Sequence, residues 1–168
     1  WVLTDKNLVQ INTGSVSEVL LASESAFPKF FETLALAVAD TGLVDGDELD
    51  LGEHTAGNGG GARWYVQLLS AGAANTIYRV AWGSNTGAAT DLVLVLRVGD
   101  SAQCKQFGLL DGATATANTA VIHAAMDYQL SIGGGKVVLG VGDFAHNTIT
   151  WPGAGIILVG SNGIAYPE

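Results

Sequence analysis

The sequence predicts a mainly β chain with two short helices, an α+β fold. Three observations predict it. Glycine occurs 23 times in 168 residues while only 14% of residues are charged, a composition that suits many turns and short strands. Period-two alternation recurs in "ARWYVQLL" and "NTIYRVAW". Three- and four-residue apolar spacing marks "SAFPKFFETLALAVADTG" and "NTAVIHAAMDYQLSIGGG".

Composition narrows the function classes. The net charge is -9, with only 7 Lys and Arg. Nucleic acids and anionic membranes need clustered cations, so neither is the expected partner. The single Cys104 rules out an intrachain disulfide and a multi-Cys metal site. No apolar run reaches the length of a membrane span. The chain opens on Trp1 rather than Met, so its natural start is expected upstream.

The elements follow in order. Residues 1–24 form an N-terminal arm. "NLVQIN" suits a short strand, and Ser15 three residues before Glu18 has the spacing of a capping box for a short helix. Residues 25–40 read as a helix with Ser25 as N-cap, Pro28 in the first turn and Gly42 as a left-handed C-cap. Its stripe of Phe27, Phe31, Leu34 and Val38 is assigned to core packing rather than to a partner-binding groove. In "ARWYVQLL", Trp64, Val66 and Leu68 share one face, and Arg63, Tyr65 and Gln67 the other. In "NTIYRVAW", Tyr78, Val80 and Trp82 oppose Ile77, Arg79 and Ala81. "TDLVLVLRVGD" is a third strand. Residues 25–99 are therefore expected as one small module, a helix on a few antiparallel strands.

Several motifs invite chemistry and are assigned to structure instead. Gly57, Gly59 and Ala62 fit the loose dinucleotide fingerprint. That fingerprint requires a following helix to hold the pyrophosphate, and here a strand follows. A glycine-rich hairpin connection with positive φ is the better account. Asp45, Asp47, Glu48 and Asp50 suggest a calcium loop, but Leu49 sits where a ligand belongs and no suitable Glu follows. A solvated acidic turn is preferred. His54, His123 and His146 lack zinc-ligand spacing and are read as surface or packing residues. Cys104 is read as a small buried hydrophobe. No nucleophile elbow occurs.

The last third is different. "NTAVIHAAMDYQLSIGGG" reads as a helix from Asn118 to Leu130, capped by Asn118 or Thr119 and ended by Gly133 to Gly135. Val121, Ile122, Ala125 and Met126 make its apolar face. "KVVLGVGDF", "NTITW" and "IILVGSNG" follow as strands at short spacing, with "PGAG" as a turn and no crossover helix between them. Parallel strands of this kind stack as coils of a solenoid, each burying its apolar face on the next. The helix is placed to cover the open end of the first coil.

From Cys104 to Gly163 the chain resembles the opening of the pectate-lyase-like right-handed β-helix of phage tailspikes and polysaccharide depolymerases. Phe107-Gly108, Asp111-Gly112 and Thr119 to Ile122 carry the first part of the likeness. Ala124 to Asp127 and Gly133 to Gly135 match the helix and its end. Pro152-Gly153 and Leu158 to Gly160 match the second coil. Upstream, "LAVADTGLVDGDELDLGEHTAGNGGGARWYV" resembles the small α/β module that often precedes that β-helix. Where the family carries paired Asp before the helix, this chain has Ala117 and Asn118; no contact of that pair is carried over.

The resemblance implies residues 100–168 as helix cap and first coils of a right-handed parallel β-helix that continues beyond them. It implies a virion protein, the N-terminal attachment part of a homotrimeric phage tailspike or tail fibre. Its partners would be itself, tail or baseplate proteins, and host surface polysaccharide through later coils. Trp1, Trp64, Tyr65, Tyr78 and Trp82 are the interface candidates, amphipathic aromatics of the kind that anchor interfaces; alternation between core and surface is their plainer account. Catalytic acids of such enzymes lie on later coils or between subunits, so no catalytic, cofactor or metal residue is assigned. A scaffold for a polysaccharide lyase or hydrolase is the alternative for the parent protein. A bacterial surface β-helix protein is a third reading.

Overall fold

The computed structural model describes residues 2–4, 7–12, 15–19, 28–88 and 90–160. Three sheets and two α-helices make up this part. The first sheet is antiparallel: β1 (Val2–Thr4), β2 (Asn7–Asn12) and β3 (Ser15–Val19), with β2 in the centre. β2 is the strand expected from "NLVQIN". Ser15–Val19 is a strand and not the short helix suggested by Ser15 and Glu18. Val16 and Val19 are β-branched and favour extended backbone, and a full ladder from Leu8↔Val19 to Asn12↔Ser15 takes up that backbone.

The second sheet has five strands in the order β4-β5-β6-β8-β7. They are β4 (Lys29–Thr33), β5 (Glu48–Glu53), β6 (Ala62–Leu68), β7 (Arg79–Ala81) and β8 (Leu92–Arg97). The two period-two segments form β6 and β7, of which β7 is only Arg79–Ala81, and "TDLVLVLRVGD" forms β8. Trp64 and Val66 face inward, and Arg63 outward. The sheet is mixed rather than wholly antiparallel, because β4 and β5 pair in parallel. The short helix α1 (Leu34–Ala39) and the loop after it carry the chain back to begin β5 in the same direction.

α1 is shorter than the expected helix. Ser25 and Phe27 lie outside the described residues, and Lys29–Thr33 is an edge strand whose exposure alternates, with Phe30 out and Phe31 in. Two adjacent aromatics and a Thr suit that pleat better than a helix. Thr33 is the N-cap, its Oγ1 accepting from Leu36 N at 3.4 Å. Gly42 does not take a left-handed conformation. The helix stops at an extended Asp40, whose Oδ1 accepts from Gly42 N at 2.7 Å.

The third sheet is parallel throughout: β9 (Ser101–Gln103), β10 (Gly135–Val138) and β11 (Ile156–Val159), with β10 central. Ala102, Val137 and Leu158 stand in register on its inner side. The long helix α2 (Ala115–Ser131) crosses from β9 to β10. It starts earlier than read, because Thr114 is the cap; Thr114 Oγ1 accepts from Ala117 N at 3.2 Å. Asn118 is instead buried inside the helix, donating to the carbonyls of Leu110 and Ala145, each at 3.1 Å. Ile122, Ala125 and Met126 form the buried face as expected. Gly133 and Gly134 end the helix with φ of 107° and 97°.

"NTITW" forms no strand. Its backbone bonds to side chains of α2: Asn147 N donates to Thr119 Oγ1 at 2.8 Å, and Thr150 N to His123 Nε2 at 3.1 Å. One hydrophobic core spans the mixed and the parallel sheets. Trp64, Leu94 and Leu96 meet Phe107, Leu109, Ile122, Met126 and Val137 within it. Buried Phe107 locks edge to face with the partly buried Tyr78 and Tyr128 at the side of the core, with ring centroids 5.4 to 6.0 Å apart.

Candidate functional site: a tyrosine groove beside an arginine face

The outer side of the mixed sheet has an unusual chemistry for this chain. Alternation along β6, β7 and β8 sends Arg63, Arg79 and Arg97 to the same side, and these are all the arginines in the sequence. Register then aligns two rows across the strands. One runs Phe30, Asp50, Arg63, Arg97; the other runs Glu48, Tyr65, Val95, Arg79. Arg63 forks onto Asp50, with Nε to Oδ1 at 3.0 Å and Nη2 to Oδ2 at 3.3 Å. Glu48 is shared between Arg63 at 3.7 Å and Arg97 at 3.3 Å. These pairs are exposed and contribute little stability. They fix side-chain directions on the face. Arg79 is held by backbone carbonyls, its Nε donating to Ala73 and its Nη2 to Gly72, at 2.9 and 2.7 Å.

Beside this face an open groove of about 650 Å³ runs between the sheet and the C-terminal end of α2. Tyr65, Tyr78 and Val95 line the sheet side, Tyr128 and Ile132 the α2 side, and Arg97 a rim. Tyr128 is positioned by its hydroxyl, which bonds the backbone N and O of Val98 at 3.4 and 3.3 Å. Glu48 is the one carboxylate among the described lining residues. Glycan cleavage by paired carboxylates needs two, about 5 to 9.5 Å apart. The groove presents aromatic rings, the Arg97 guanidinium and an apolar Ile132 that is 48% exposed.

The interface candidates separate. Trp1 lies outside the described residues. Trp64 is fully buried and presents nothing to a partner; it is core, and its Nε1 finds no acceptor among the described residues. Tyr65 and Tyr78 come together in the groove. Trp82 is half-buried away from it, with Nε1 donating to the Asp40 carbonyl at 2.6 Å. Tyr128, Arg97 and Ile132 were not singled out by sequence. Arg97 was detectable as the polar end of an otherwise apolar strand; Tyr128 and Ile132 were hidden on a helix read only for its core side.

The remaining motifs resolve locally. Gly57 and Gly59 adopt φ of 81° and 63° in the β5–β6 connection, and β6 follows directly. The acidic turn is not wholly solvated: Asp47 is buried, accepting from Lys29 Nζ and from Val44 N, each at 2.9 Å. The cause is the edge strand β4, which brings Lys29 alongside. Among the described residues no group of three or more His, Cys, Asp or Glu is arranged to hold a metal ion. His54 packs beside Trp64, with its Nε2 3.2 Å from the Ile77 carbonyl. Burial lowers its pKa from the ordinary imidazole value, opposed by that backbone bond. Cys104 is buried, and desolvation pushes its thiol up to about 12.

No protein-family model and no curated protein sequence matches the chain. Among solved structures it is similar to the tailspike protein gp49 of Acinetobacter baumannii bacteriophage Fri1, a capsular polysaccharide depolymerase, with a TM-score of 0.53 and 20% identity over 78% of this chain. The chain shares the fold of part of a phage tailspike. It spans 21% of that tailspike chain. The enzymatically active domain of tailspike protein 2 from bacteriophage CBA120 gives a TM-score of 0.46 at 17% identity, covering 77% of this chain and 17% of that one. Full-length tailspike protein 2 from an Escherichia coli O157:H7 bacteriophage gives 0.47 at 14% identity, covering 95% of this chain and 22% of that one. The tailspike fold rests on the first likeness alone.

Proposed function

We propose that this chain is the N-terminal, virion-proximal adaptor of a homotrimeric phage tailspike or tail fibre. The observation that carries the reading is the parallel, in-register ladder β9-β10-β11, spanned by α2 and joined to the mixed sheet through one core. Parallel strands without a helix between β10 and β11 fit the start of a right-handed, pectate-lyase-like β-helix. In this reading residues 1–24 are an arm, 25–99 an attachment module, and 100–168 the cap and first coils of the shaft. The shared core makes the last two parts move as a unit, so a load taken by the shaft is passed to the attachment module. The place of action is the virion tail, with tail or baseplate proteins on one side and host surface polysaccharide reached through later coils.

The test is binding to tails. The purified chain is expected to bind tail particles that lack their spike and to block reattachment of the native spike. Absence of binding and of competition would remove the adaptor role.

A second reading is supported by the likeness to the Fri1 protein, a capsular polysaccharide depolymerase. Here the chain is the scaffold of a depolymerase whose active site would lie on coils beyond residue 168. Incubation of the complete gene product with host capsular polysaccharide, followed by sizing of the glycan, separates a lyase or hydrolase from a non-catalytic receptor-binding spike.

A further inference from the structure

The arginine face and its groove have a counterpart on the same molecule. Phe30 on the edge strand β4 is 68% exposed. Its ring lies over Gly52, where a Cβ would come within 3.5 Å of the ring tip and 3.1 Å of the Glu32 carbonyl oxygen. The absence of a side chain at Gly52 leaves room for the ring tip, and most of the ring is exposed. Glu32 stands two residues along, on the same side of the strand and exposed. The result is an aromatic knob with a carboxylate beside it.

The groove is complementary on both counts. Tyr65, Tyr78 and Tyr128 offer aromatic surface, and Ile132 an exposed apolar contact. Arg97 is 63% exposed at its side chain and, among the described residues, bonds through Nη1 to Glu48 alone, leaving donors that can meet a second carboxylate. The charge is also the right sign. The chain carries -9 overall, and on the outer side its three arginines are matched by Glu32, Glu48 and Asp50. Charge is separated across the face, with Arg97 at the groove and Glu32 on the β4 edge, so that the opposite ends of two copies attract.

We infer that a second copy of this chain docks on this face, with Phe30 and Glu32 of one copy seated against the tyrosine groove and Arg97 of the next. Two unlike patches on one face can pair twice about a twofold axis or head-to-tail around a ring, and the trimer of the proposed function takes the ring. They lie three strand spacings apart along one row, about 14 Å, which turns one sheet face of every copy toward its neighbours. The inference rests on the self-association contained in the proposed function and adds the surface that performs it.

Sedimentation velocity across a concentration series tests it, with circular dichroism to verify that each variant is folded. The chain is expected to assemble. Phe30→Ala, Arg97→Glu and Glu32→Arg should each weaken assembly about tenfold or more. Combining Glu32→Arg with Arg97→Glu should restore it, because the charges are exchanged. Lys136→Glu, the same charge reversal on the exposed side of β10, should change nothing. A monomer at every concentration overturns the inference, as does assembly indifferent to Phe30→Ala and Arg97→Glu. The second result would leave the adaptor reading standing, since tail binding decides that separately.

Discussion

Gln129 on α2 donates through Nε2 to the carbonyl of Gly99, 2.8 Å away and thirty residues earlier. Gly99 belongs to the short link between the mixed and the parallel sheets. The next residue back, Val98, is held by the Tyr128 hydroxyl, and the next forward, Asp100, accepts from Lys136 N at 3.1 Å. Three consecutive residues of the link are thus tied to α2 or β10. Gln129 is fully buried, and its Oε1 has no partner among the described residues. Its value lies in the one donated bond. Gln129→Leu should lower stability by about 1 to 3 kcal/mol through the orphaned carbonyl. Gln129→Glu should cost more, since it buries a carboxylate beside carbonyl oxygens. Urea unfolding of the three proteins gives the order.

Two neighbouring glycines should respond in opposite ways. A Cβ on Gly60 would fall 1.8 Å from the Lys105 carbonyl oxygen, a backbone atom with no freedom to withdraw. Gly59 has φ of 63° and open space around it. Gly60→Ala should cost about 3 kcal/mol or more by prising the β5–β6 loop from residues 104–107. Gly59→Asn should cost less than about 1 kcal/mol, because Asn tolerates the left-handed region. Thermal melts distinguish a large drop from a small one.

His54 makes stability depend on pH. Burial holds its folded pKa below the ordinary value of 6.5. As pH falls through about 6.5, the unfolded chain takes up a proton that the folded chain resists, so folding loses free energy. This contribution is complete above that value and declines below it, down to the folded pKa. Chemical unfolding at pH 8 and pH 5 should show a smaller decline for His54→Gln than for the unmodified chain.

Cys104 should behave as an inert thiol. With its pKa pushed up to about 12 and its sulfur buried, almost no thiolate is present at neutral pH. Iodoacetamide should label it only as fast as the protein opens, and denaturant should raise the rate by orders of magnitude. Rapid labelling of the folded protein would contradict its place in the core.

Legibility followed periodicity. β6 and the buried face of α2 were readable because a half-buried element writes its period into the sequence, as Trp64, Val66, Ile122 and Met126 do, and β8 because a strand buried on both sides is continuously apolar. The parallel pairing of β10 and β11 was readable from their apolar composition and from the family likeness. Failures came where pairing overrode local preference. Lys29–Thr33 looks helical in isolation, because Phe31, Leu34 and Val38 happen to fall at helical steps, but an open edge on β5 captured it. Asn147–Trp151 has the look of a strand and gave its backbone to Thr119 and His123 instead. The groove was half visible. Tyr65 and Tyr78 were chosen for their amphipathic rings, whereas Tyr128 joins them only through the crossing of α2, which sequence spacing does not encode.

The shared core also sets an order of events during synthesis. Strands β4 to β8 leave the ribosome before α2 and pair with one another, yet the surface under Trp64, Leu94 and Leu96 is not covered until Phe107, Ile122 and Met126 have emerged. Through that interval the nascent sheet carries a bare oily side. A pause once Arg97 has emerged from the ribosome would lengthen its exposure to chaperones and to aggregation; one once Ser131 has emerged would find it already sheltered.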